Sequence, residues 1–247
     1  MLLLIWGCSQ DDSPSLTNAL VVDGLIYFGQ PVKINLSLLA PLNSGAPIPY
    51  DLAPLVAIRS QDQDFPLWSV PGQAGTYQDL NNQIPLVPGG GIILFVLFQD
   101  TVVAAATTMP FAPSGMRLDR DIIPINAPDL EAGGADSLRW LNTENQLYTA
   151  KLTLVDQNPV KINSNEADPP TEFVLGAIDG NTYAIPHNAL RYYGVYRLVL
   201  YASTSDYGQF FASNGQSQVQ QHTNVSNGLG IFAALNSDTL FFSVIPK

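Results

Sequence analysis

The 247-residue sequence contains one cysteine, Cys8, and only two histidines. A single cysteine excludes an internal disulfide and any metal site built from several cysteines. Basic residues are also few, because ten Lys and Arg stand against 21 Asp and Glu, which gives a net charge of −11. Nucleic-acid binding requires clustered Lys and Arg to neutralise phosphates. We therefore expect no nucleic-acid partner.

Charged residues of either sign are scarce, at 13%, while hydrophobic residues make up 46%. Both values favour a folded chain over a disordered one. The sequence also lacks an internal repeat at the fixed period of a propeller or solenoid. Its 19 Gly and 19 Pro are spread throughout, which is typical of many short strands joined by turns.

The first apolar run, residues 1–6, is followed by Gly7 and Cys8. It is far shorter than the roughly 20 residues that span a bilayer, and it lacks the basic start of a signal peptide. Residues 5–7 resemble a bacterial lipobox, which precedes an acylated cysteine. We predict that Cys8 is lipidated, that it is anchored in outer-membrane lipid, and that the full signal begins upstream. The alternative is a free or buried thiol near a frayed terminus.

The residues after the cysteine are polar and acidic: Ser9, Gln10, Asp11 and Asp12. They resemble the export signal with which Bacteroidota send lipoproteins to the outer face of the outer membrane. We interpret residues 1–18 as a signal remnant and a flexible tether. The expected location is the outer membrane, lipid-anchored and exposed at the cell surface.

Segments rich in β-branched and aromatic residues recur along the chain and predict an all-β fold. The continuous apolar run at 92–98 is typical of a strand buried on both faces. Residues 111–135 are rich in Pro and Gly, and we predict a linker there. It would join an N-terminal β-sandwich at 19–110 to a C-terminal β-sandwich at 136–247.

Two turn signals and one helix interrupt these strands. Gln99-Asp100 and Asp179-Gly180-Asn181 each predict a hairpin. One short helix is expected near 203–215, capped by Ser203 or Ser205. Its apolar face would consist of Tyr207, Phe210 and Phe211.

The order of motifs resembles the Bacteroidota outer-membrane lipoprotein family of unknown function DUF4249. The resemblance rests on residues 20–24, 71–77, 91–98, 100–103, 107–110, 196–207 and 224–232. It implies a surface-exposed lipoprotein, often encoded near a TonB-dependent outer-membrane transporter, and no catalytic residues. The chain departs from the family at 157–170, in its short length and in its incomplete signal.

The sequence pattern of each predicted β-sandwich also resembles a known fold. The N-terminal unit resembles a transthyretin-like or carboxypeptidase-regulatory-like sandwich. The C-terminal unit resembles an immunoglobulin- or fibronectin-III-like sandwich, in which Trp140 on an early strand and Tyr196 on a late one would suit the core.

Groupings that could carry catalysis are weak. His187 and His222 sit in no ligand-spaced motif, so we interpret both as solvent-facing or loop histidines. Gly228 and Gly230 lack the third glycine of a phosphate-binding loop and indicate a bend. Three acidic pairs are expected to be solvated carboxylates: Asp62 with Asp64, Asp119 with Asp121, and Glu166 with Asp168. We predict no enzymatic activity, no cofactor and no metal site.

Aromatic residues are the remaining candidates for ligand binding. Tyr192 and Tyr193 are the best pair, because neighbouring strand residues point to opposite faces and one of the two should face outward or towards the other domain. The others are expected mainly in the core: Trp68, Tyr77, Tyr207, Phe210 and Phe211.

Three functions follow in order of preference. The first is a non-enzymatic surface lipoprotein that serves a TonB-dependent β-barrel transporter or another outer-membrane complex. The second is a stand-alone carbohydrate-binding or adhesive module. The third is a hydrolase whose site is assembled from distant acidic residues.

Overall fold

The computed structural model describes residues 19–39, 53–142, 144, 146–213 and 222–247. The predicted lipidation site at Cys8 and the export residues Ser9, Gln10, Asp11 and Asp12 lie outside the described residues, so both stay predictions. Within the described ranges, no helix is long and apolar enough to cross a membrane.

The described part of the chain is almost entirely β-structure, which confirms the predicted all-β class. Its strands are β1 Leu20–Tyr27, β2 Lys33–Leu38, β3 Leu55–Ser60, β4 Gln63–Ser69, β5 Thr76–Gln78, β6 Gly91–Phe98, β7 Thr101–Thr108, β8 Ser114–Leu118, β9 Ile122–Pro124, β10 Ala135–Leu141, β11 Leu147–Leu154, β12 Val160–Lys161, β13 Glu172–Asp179, β14 Thr182–Pro186, β15 Tyr192–Ser203, β16 Val225–Ser226 and β17 Leu229–Ile245. The helices are α1 Ala127–Glu131 and α2 Ser205–Ala212, and a 3-10 turn spans His187–Ala189.

One long curled sheet contains most of the strands. Its order is β13-β11-β15-β17-β1-β2-β5-β4-β3-β6-β7-β16, with β12 paired to β15 and β9 paired to β17. A second sheet has the order β14-β10-β8. Burial alternates along most strands, as in the pattern of exposed and buried residues on β2. The curled sheet therefore turns one face inward, around two apolar cores.

The first core is formed by inward-facing residues of β1 to β7. Ile34 on β2, Ile58 on β3 and Leu94 on β6 are fully buried there. The even-numbered positions of the run at 92–98 all face this core, but Leu97 is exposed on the opposite face. The prediction that this strand is buried on both faces is therefore wrong, because its outer side is only partly covered and Leu97 there is 45% exposed.

The second core brings together the two aromatic residues expected there. Trp140 packs edge-to-face on Tyr148, with ring centroids 5.1 Å apart, and Tyr196 stacks on Phe242 at 5.5 Å. Burial raises the pKa of Tyr196 to about 12. The predicted placement of Trp140 and Tyr196 in a common core is confirmed.

The stretch 111–135 differs from the linker expected from its composition. It contains β8, β9 and α1, and α1 is a second short helix that the sequence did not indicate. Four of its side chains belong to the second core: Leu118, Ile123, Ile125 and Leu130. Its Pro and Gly residues therefore mark turns between short elements that pack on this core.

β17 serves both cores. Its residues 229–235 pair in parallel with β1, and its residues 235–244 pair antiparallel with β15. Phe232 belongs to the first core and Phe242 to the second. Gly230 has a φ of +97°, and a Cβ atom there would collide with the carbonyl oxygen of Val22 on β1. Glycine thus permits the close approach of these two strands.

Helix α2 confirms the short helix predicted near 203–215. It starts one residue after Thr204, which is the N-cap and makes no side-chain capping bond. Neither residue predicted to cap the helix does so. Ser203 ends β15 and its hydroxyl donates to the Leu147 carbonyl, while Ser205 is already the first residue of the helix. The helix packs on β13 and β17. Residues 214 and 215 lie outside the described ranges.

The two predicted hairpins have different outcomes. Gln99 and Asp100 both have positive φ and join the paired strands β6 and β7, as expected. The turn at 179–181 instead joins β13, which pairs with β11, to β14, which pairs with β10. This hairpin prediction is wrong because the two strands enter different sheets.

Candidate binding surfaces

Four of the six paired carboxylates found in the sequence form surface ion pairs: Asp64, Asp119, Glu166 and Asp168. Arg59 Nε lies 2.7 Å from Asp64 Oδ1, and its hydrogen bond lowers the pKa of that carboxyl. Asp119 pairs with Arg139 at 3.2 Å, where the hydrogen bond likewise lowers its pKa. Among the residues that the structure describes, no three His, Cys, Asp or Glu side chains come together as metal ligands. Asp64 and Asp119 are thus each engaged with a neighbouring arginine.

The most ordered polar cluster lies at one end of the second core. Asp136 is only 3% exposed. Arg120 donates to both of its carboxylate oxygens at 2.7 and 2.8 Å, and His187 Nε2 lies 2.9 Å from Oδ2. Burial alone would raise the pKa of Asp136, but the bonds and charges of Arg120 and His187 lower it overall. The cluster therefore holds an ionised carboxylate.

Both histidines are less solvent-facing than the sequence indicated. His187 lies in a 3-10 turn against Asp136, and its Nδ1 has no hydrogen-bond partner in the described part of the chain. His222 Nε2 lies 3.2 Å from Asp206 Oδ1 at the start of α2. Among the described residues, no hydroxyl or thiol is hydrogen-bonded to His187.

The candidate pair Tyr192 and Tyr193 lies on β15, opposite β12. Tyr192 is buried in the second core, and its hydroxyl donates to the Pro169 carbonyl at 2.9 Å. Tyr193 is partly buried and packs against the same core. Tyr192 is thus placed for packing, and ligand binding at this pair stays a prediction.

An exposed apolar row crosses four strands on the outer side of the first core. Leu55 on β3 pairs with Leu97 on β6, which pairs with Val102 on β7. Because Val56 on β3 pairs with Leu67 on β4, Leu55 lies beside Trp68 on its other side. These four side chains, each 45% to 72% exposed, are called the apolar face below.

A second row of the same sheet side extends the apolar face. Phe95 lies between Ala57 and Ala104, and Ala57 is paired on its other side with Pro66. The Arg59 guanidinium lies 5.0 Å above the Phe95 ring. A contiguous exposed apolar surface of this kind often indicates a site that binds another protein or a membrane.

A polar groove of about 340 Å³ lies on the outer side of β1, β2 and β5. Asp23 is opposite Asn35 across the β1–β2 pair, and Lys33 is opposite Gln78 across the β2–β5 pair. Tyr27 closes the groove and packs edge-on against Tyr201, with centroids 6.1 Å apart. Burial, followed by the nearby Tyr201 and Asp23, raises the pKa of Tyr27. The groove presents a carboxylate, an ammonium, three amides and an aromatic ring.

Comparison with known proteins yields fold neighbours only. No protein-family model and no curated protein matches the chain. A structure of the FN1–FN3 domains of chicken CNTN1 is similar at 10% identity and a TM-score of 0.33, covering 94% of this chain and 68% of that one. A bacterial ice-binding adhesin is similar at 11% identity and a TM-score of 0.26, covering 94% and 67%. Trypsin-activated alpha-2-macroglobulin from Escherichia coli has 10% identity and a TM-score of 0.27, and the match spans 16% of it. Likeness at this level carries no argument about function.

Sequence reasoning did not find either surface. The signal for the apolar face was present, since every position from 92 to 98 is apolar, but it was assigned to burial on both faces. The groove residues come from positions between 23 and 35 and from position 78. Only strand pairing brings them together.

The Asp136 cluster predicts a specific acid sensitivity. The pKa of Asp136 lies below the usual 3.8. The stability that its ionised carboxylate contributes is therefore present above pH 3.8 and is lost as the pH falls through the folded-state pKa. Asp136→Asn should lower the free energy of unfolding at pH 7 by roughly 1–3 kcal/mol. It should also flatten the decline in stability below about pH 4, measured by urea unfolding at several pH values. Asp168→Asn, at an exposed ion pair, is the control and should change neither. An unchanged acid limb in Asp136→Asn contradicts the assignment.

Proposed function

We propose that the chain is a non-enzymatic, surface-exposed outer-membrane lipoprotein, held by acylated Cys8, that acts as a binding subunit of a TonB-dependent transporter or another outer-membrane complex. The observation that carries the binding role is the apolar face formed by Leu55, Trp68, Leu97 and Val102. The lipobox-like residues before Cys8 support the anchor.

The shape of the apolar face favours a protein partner. Its side chains lie on four adjacent strands of one sheet, so they offer a broad surface rather than a cleft for a small molecule. Leu and Trp side chains with one ring-stacked Arg nearby resemble the apolar centre and polar rim of protein interfaces. Residues 9–18 would span at most about 36 Å if fully extended. An anchored chain therefore keeps this face close to proteins embedded in the same membrane.

The lipid anchor predicts labelling that depends on one atom, Cys8 Sγ. Cells that express the gene with its upstream codons and receive an alkyne fatty acid should label the wild-type protein. Cys8→Ser should abolish the label, because no other cysteine is present. Protease added to intact cells should degrade the labelled protein if it faces outward. Label that persists in Cys8→Ser, or full protection from protease, contradicts this part of the proposal.

If the apolar face binds the partner, a substitution within this face should reduce the recovery of the partner. Affinity purification of the lipidated protein from membranes should recover a β-barrel protein, identified by mass spectrometry. Leu55→Lys should reduce its recovery at least about tenfold, since a charge would be buried at the centre of the contact.

The control is Val160→Lys, which places the same charge at a similarly exposed apolar residue on β12. It should leave recovery unchanged, and both variants should keep the wild-type circular dichroism. Equal recovery by Leu55→Lys and the wild type would exclude the apolar face. Recovery of membrane lipid alone would contradict a protein partner, because the lipid anchor by itself retains lipid.

A stand-alone carbohydrate-binding module is the second candidate, and the groove at β1, β2 and β5 favours it. Sugar hydroxyls both donate and accept hydrogen bonds, so they suit a carboxylate beside an amide and an ammonium. Asp23, Asn35 and Lys33 provide these groups, and Tyr27 provides an aromatic surface for the apolar face of a sugar ring.

This alternative predicts glycan-array binding that depends on the groove. Asp23→Asn should weaken the signal about tenfold, because a charged acceptor contributes more than a neutral amide. Asp62→Asn, at an exposed residue in the turn between β3 and β4 and outside the groove, is the matched control. An array without signal removes the carbohydrate reading and leaves the apolar face untouched.

A further inference from the structure

A cavity of about 230 Å³ lies on the outer side of the three-stranded sheet β14-β10-β8. Its charged lining residues are two arginines, Arg117 on β8 and Arg139 on β10, and no acidic residue is among the described residues that line it. The cavity is therefore a local concentration of positive charge in a chain whose net charge is −11. It is separate from the apolar face and from the polar groove, which both lie on the long curled sheet.

The two arginines lie directly opposite each other. The register of β8 and β10 pairs Arg117 with Arg139, and both residues are exposed. Side chains at directly opposite positions of an antiparallel pair begin roughly 5 Å apart, and like charges there repel each other. An anion between the two guanidinium groups would replace this repulsion with two attractions. The arrangement therefore favours an anionic ligand.

The hydrogen-bond donors of these two guanidinium groups are largely unused. Arg59 and Arg120 each donate two hydrogen bonds to one carboxylate. Arg139 donates only one, from its Nε to Asp119 Oδ1 at 3.2 Å. Arg117 forms no ion pair within the described ranges. Since a guanidinium group carries five N–H donors, most of the donors at the cavity are available to a ligand.

A β-bulge shapes the cavity beside the arginines. Arg139 pairs with Arg117 but Leu141 pairs with Ser114, so β8 has one more residue than β10 between these two pairs. Gly115 lies in this interval with a φ of +63°, which glycine adopts without strain. Bulges redirect neighbouring side chains and are common beside functional sites. Leu141, which is 58% exposed, lies next to Gly115 and gives the cavity an apolar rim.

The number of donors and their charge narrow the ligand. A carboxylate has two oxygen atoms, which one guanidinium group can occupy alone. A phosphate monoester presents three acceptor oxygens and carries a charge of about −1.5 to −2 at neutral pH, so it matches two arginines at once. The cavity is smaller than the roughly 300–1,000 Å³ of a complete small-molecule site. It therefore holds one group of a ligand rather than a whole ligand.

We propose that this cavity binds a phosphate monoester between the guanidinium groups of Arg117 and Arg139. Leu141 contacts the apolar part of the molecule that carries the phosphate. Two arginines match a single phosphate and not the row of phosphates along a nucleic acid. The phosphate belongs either to a soluble ester or to a lipid headgroup.

Isothermal titration calorimetry on the full chain tests the site. Low ionic strength is required, because salt screens the attraction between exposed charges. Glycerol 3-phosphate is the probe and should bind with a millimolar or lower dissociation constant. Acetate and methyl sulfate each carry one negative charge, and both should bind at least about tenfold more weakly.

A matched pair of variants locates the binding. Arg117→Gln should weaken glycerol 3-phosphate at least about tenfold, because hydrogen bonds to a charged group are lost. The control is Arg197→Gln, which removes the same charge from an exposed arginine on β15 that also forms no ion pair within the described ranges. It should leave the affinity unchanged. The probe should raise the melting temperature of the wild type and of Arg197→Gln, but not that of Arg117→Gln.

Vesicles distinguish the two sources of the phosphate. The full chain with Cys8→Ser, which has no acyl chain, is mixed with phosphatidylcholine vesicles that contain or lack phosphatidic acid, a lipid with a phosphate monoester headgroup. Sedimentation with phosphatidic acid that Arg117→Gln abolishes assigns the lipid headgroup. Binding of glycerol 3-phosphate without this sedimentation assigns a soluble ester.

Three results would overturn the proposal. The first is the absence of both glycerol 3-phosphate binding at millimolar concentration and Arg117-dependent sedimentation. The second is equal affinity for acetate or methyl sulfate, and the third is equal weakening by Arg117→Gln and Arg197→Gln. Neither Cys8 nor Leu55 lines the cavity, so each of these results leaves the proposed anchor and partner binding standing.

Discussion

The structure depends on the pairing of one strand, β17, with two different neighbours. Its first half hydrogen-bonds to β1 in parallel and its second half to β15 antiparallel, so the two cores share a continuous backbone. Asn224 reinforces this arrangement, because its side-chain amide donates to the Phe232 carbonyl at 2.8 Å and accepts from the Phe232 N–H at 2.9 Å. The short strand β16 that follows then pairs with β7. The first core is closed by residues from the far end of the sequence.

Local patterns predicted the features that depend on local chemistry. Period-two alternation identified strands, the aromatic spacing at 207, 210 and 211 identified α2, and Gln99-Asp100 identified a hairpin whose positive φ values suit it. The predictions of a linker at 111–135 and of a hairpin at 179–181 were wrong for the same reason. Gly, Pro and Asn report that the chain bends, but the sheet that each following strand joins is decided by packing against distant residues.

The candidate surfaces were harder to predict than the fold. A strand buried on both faces and a strand with an uncovered apolar face both require apolar residues at every position, so residues 92–98 could not distinguish them. Leu97 became informative only once its neighbours Leu55 and Val102 were seen to be exposed as well. Asp136 illustrates the same limit, because its partners come from positions 120 and 187. Tyr192 shows the opposite case, because a residue proposed for ligand binding is buried in the second core.

The closure of the first core by β16 and β17 has a consequence for the order in which the protein folds. Val225, Phe232 and Ala234 complete a core whose other members lie between residues 20 and 109. A chain made or threaded from its N-terminus therefore presents β1 and β7 with open edges until the last strand arrives. Contacts so distant in sequence form slowly, and open strand edges pair readily with other chains. In that interval a chaperone that shields strand edges would limit aggregation.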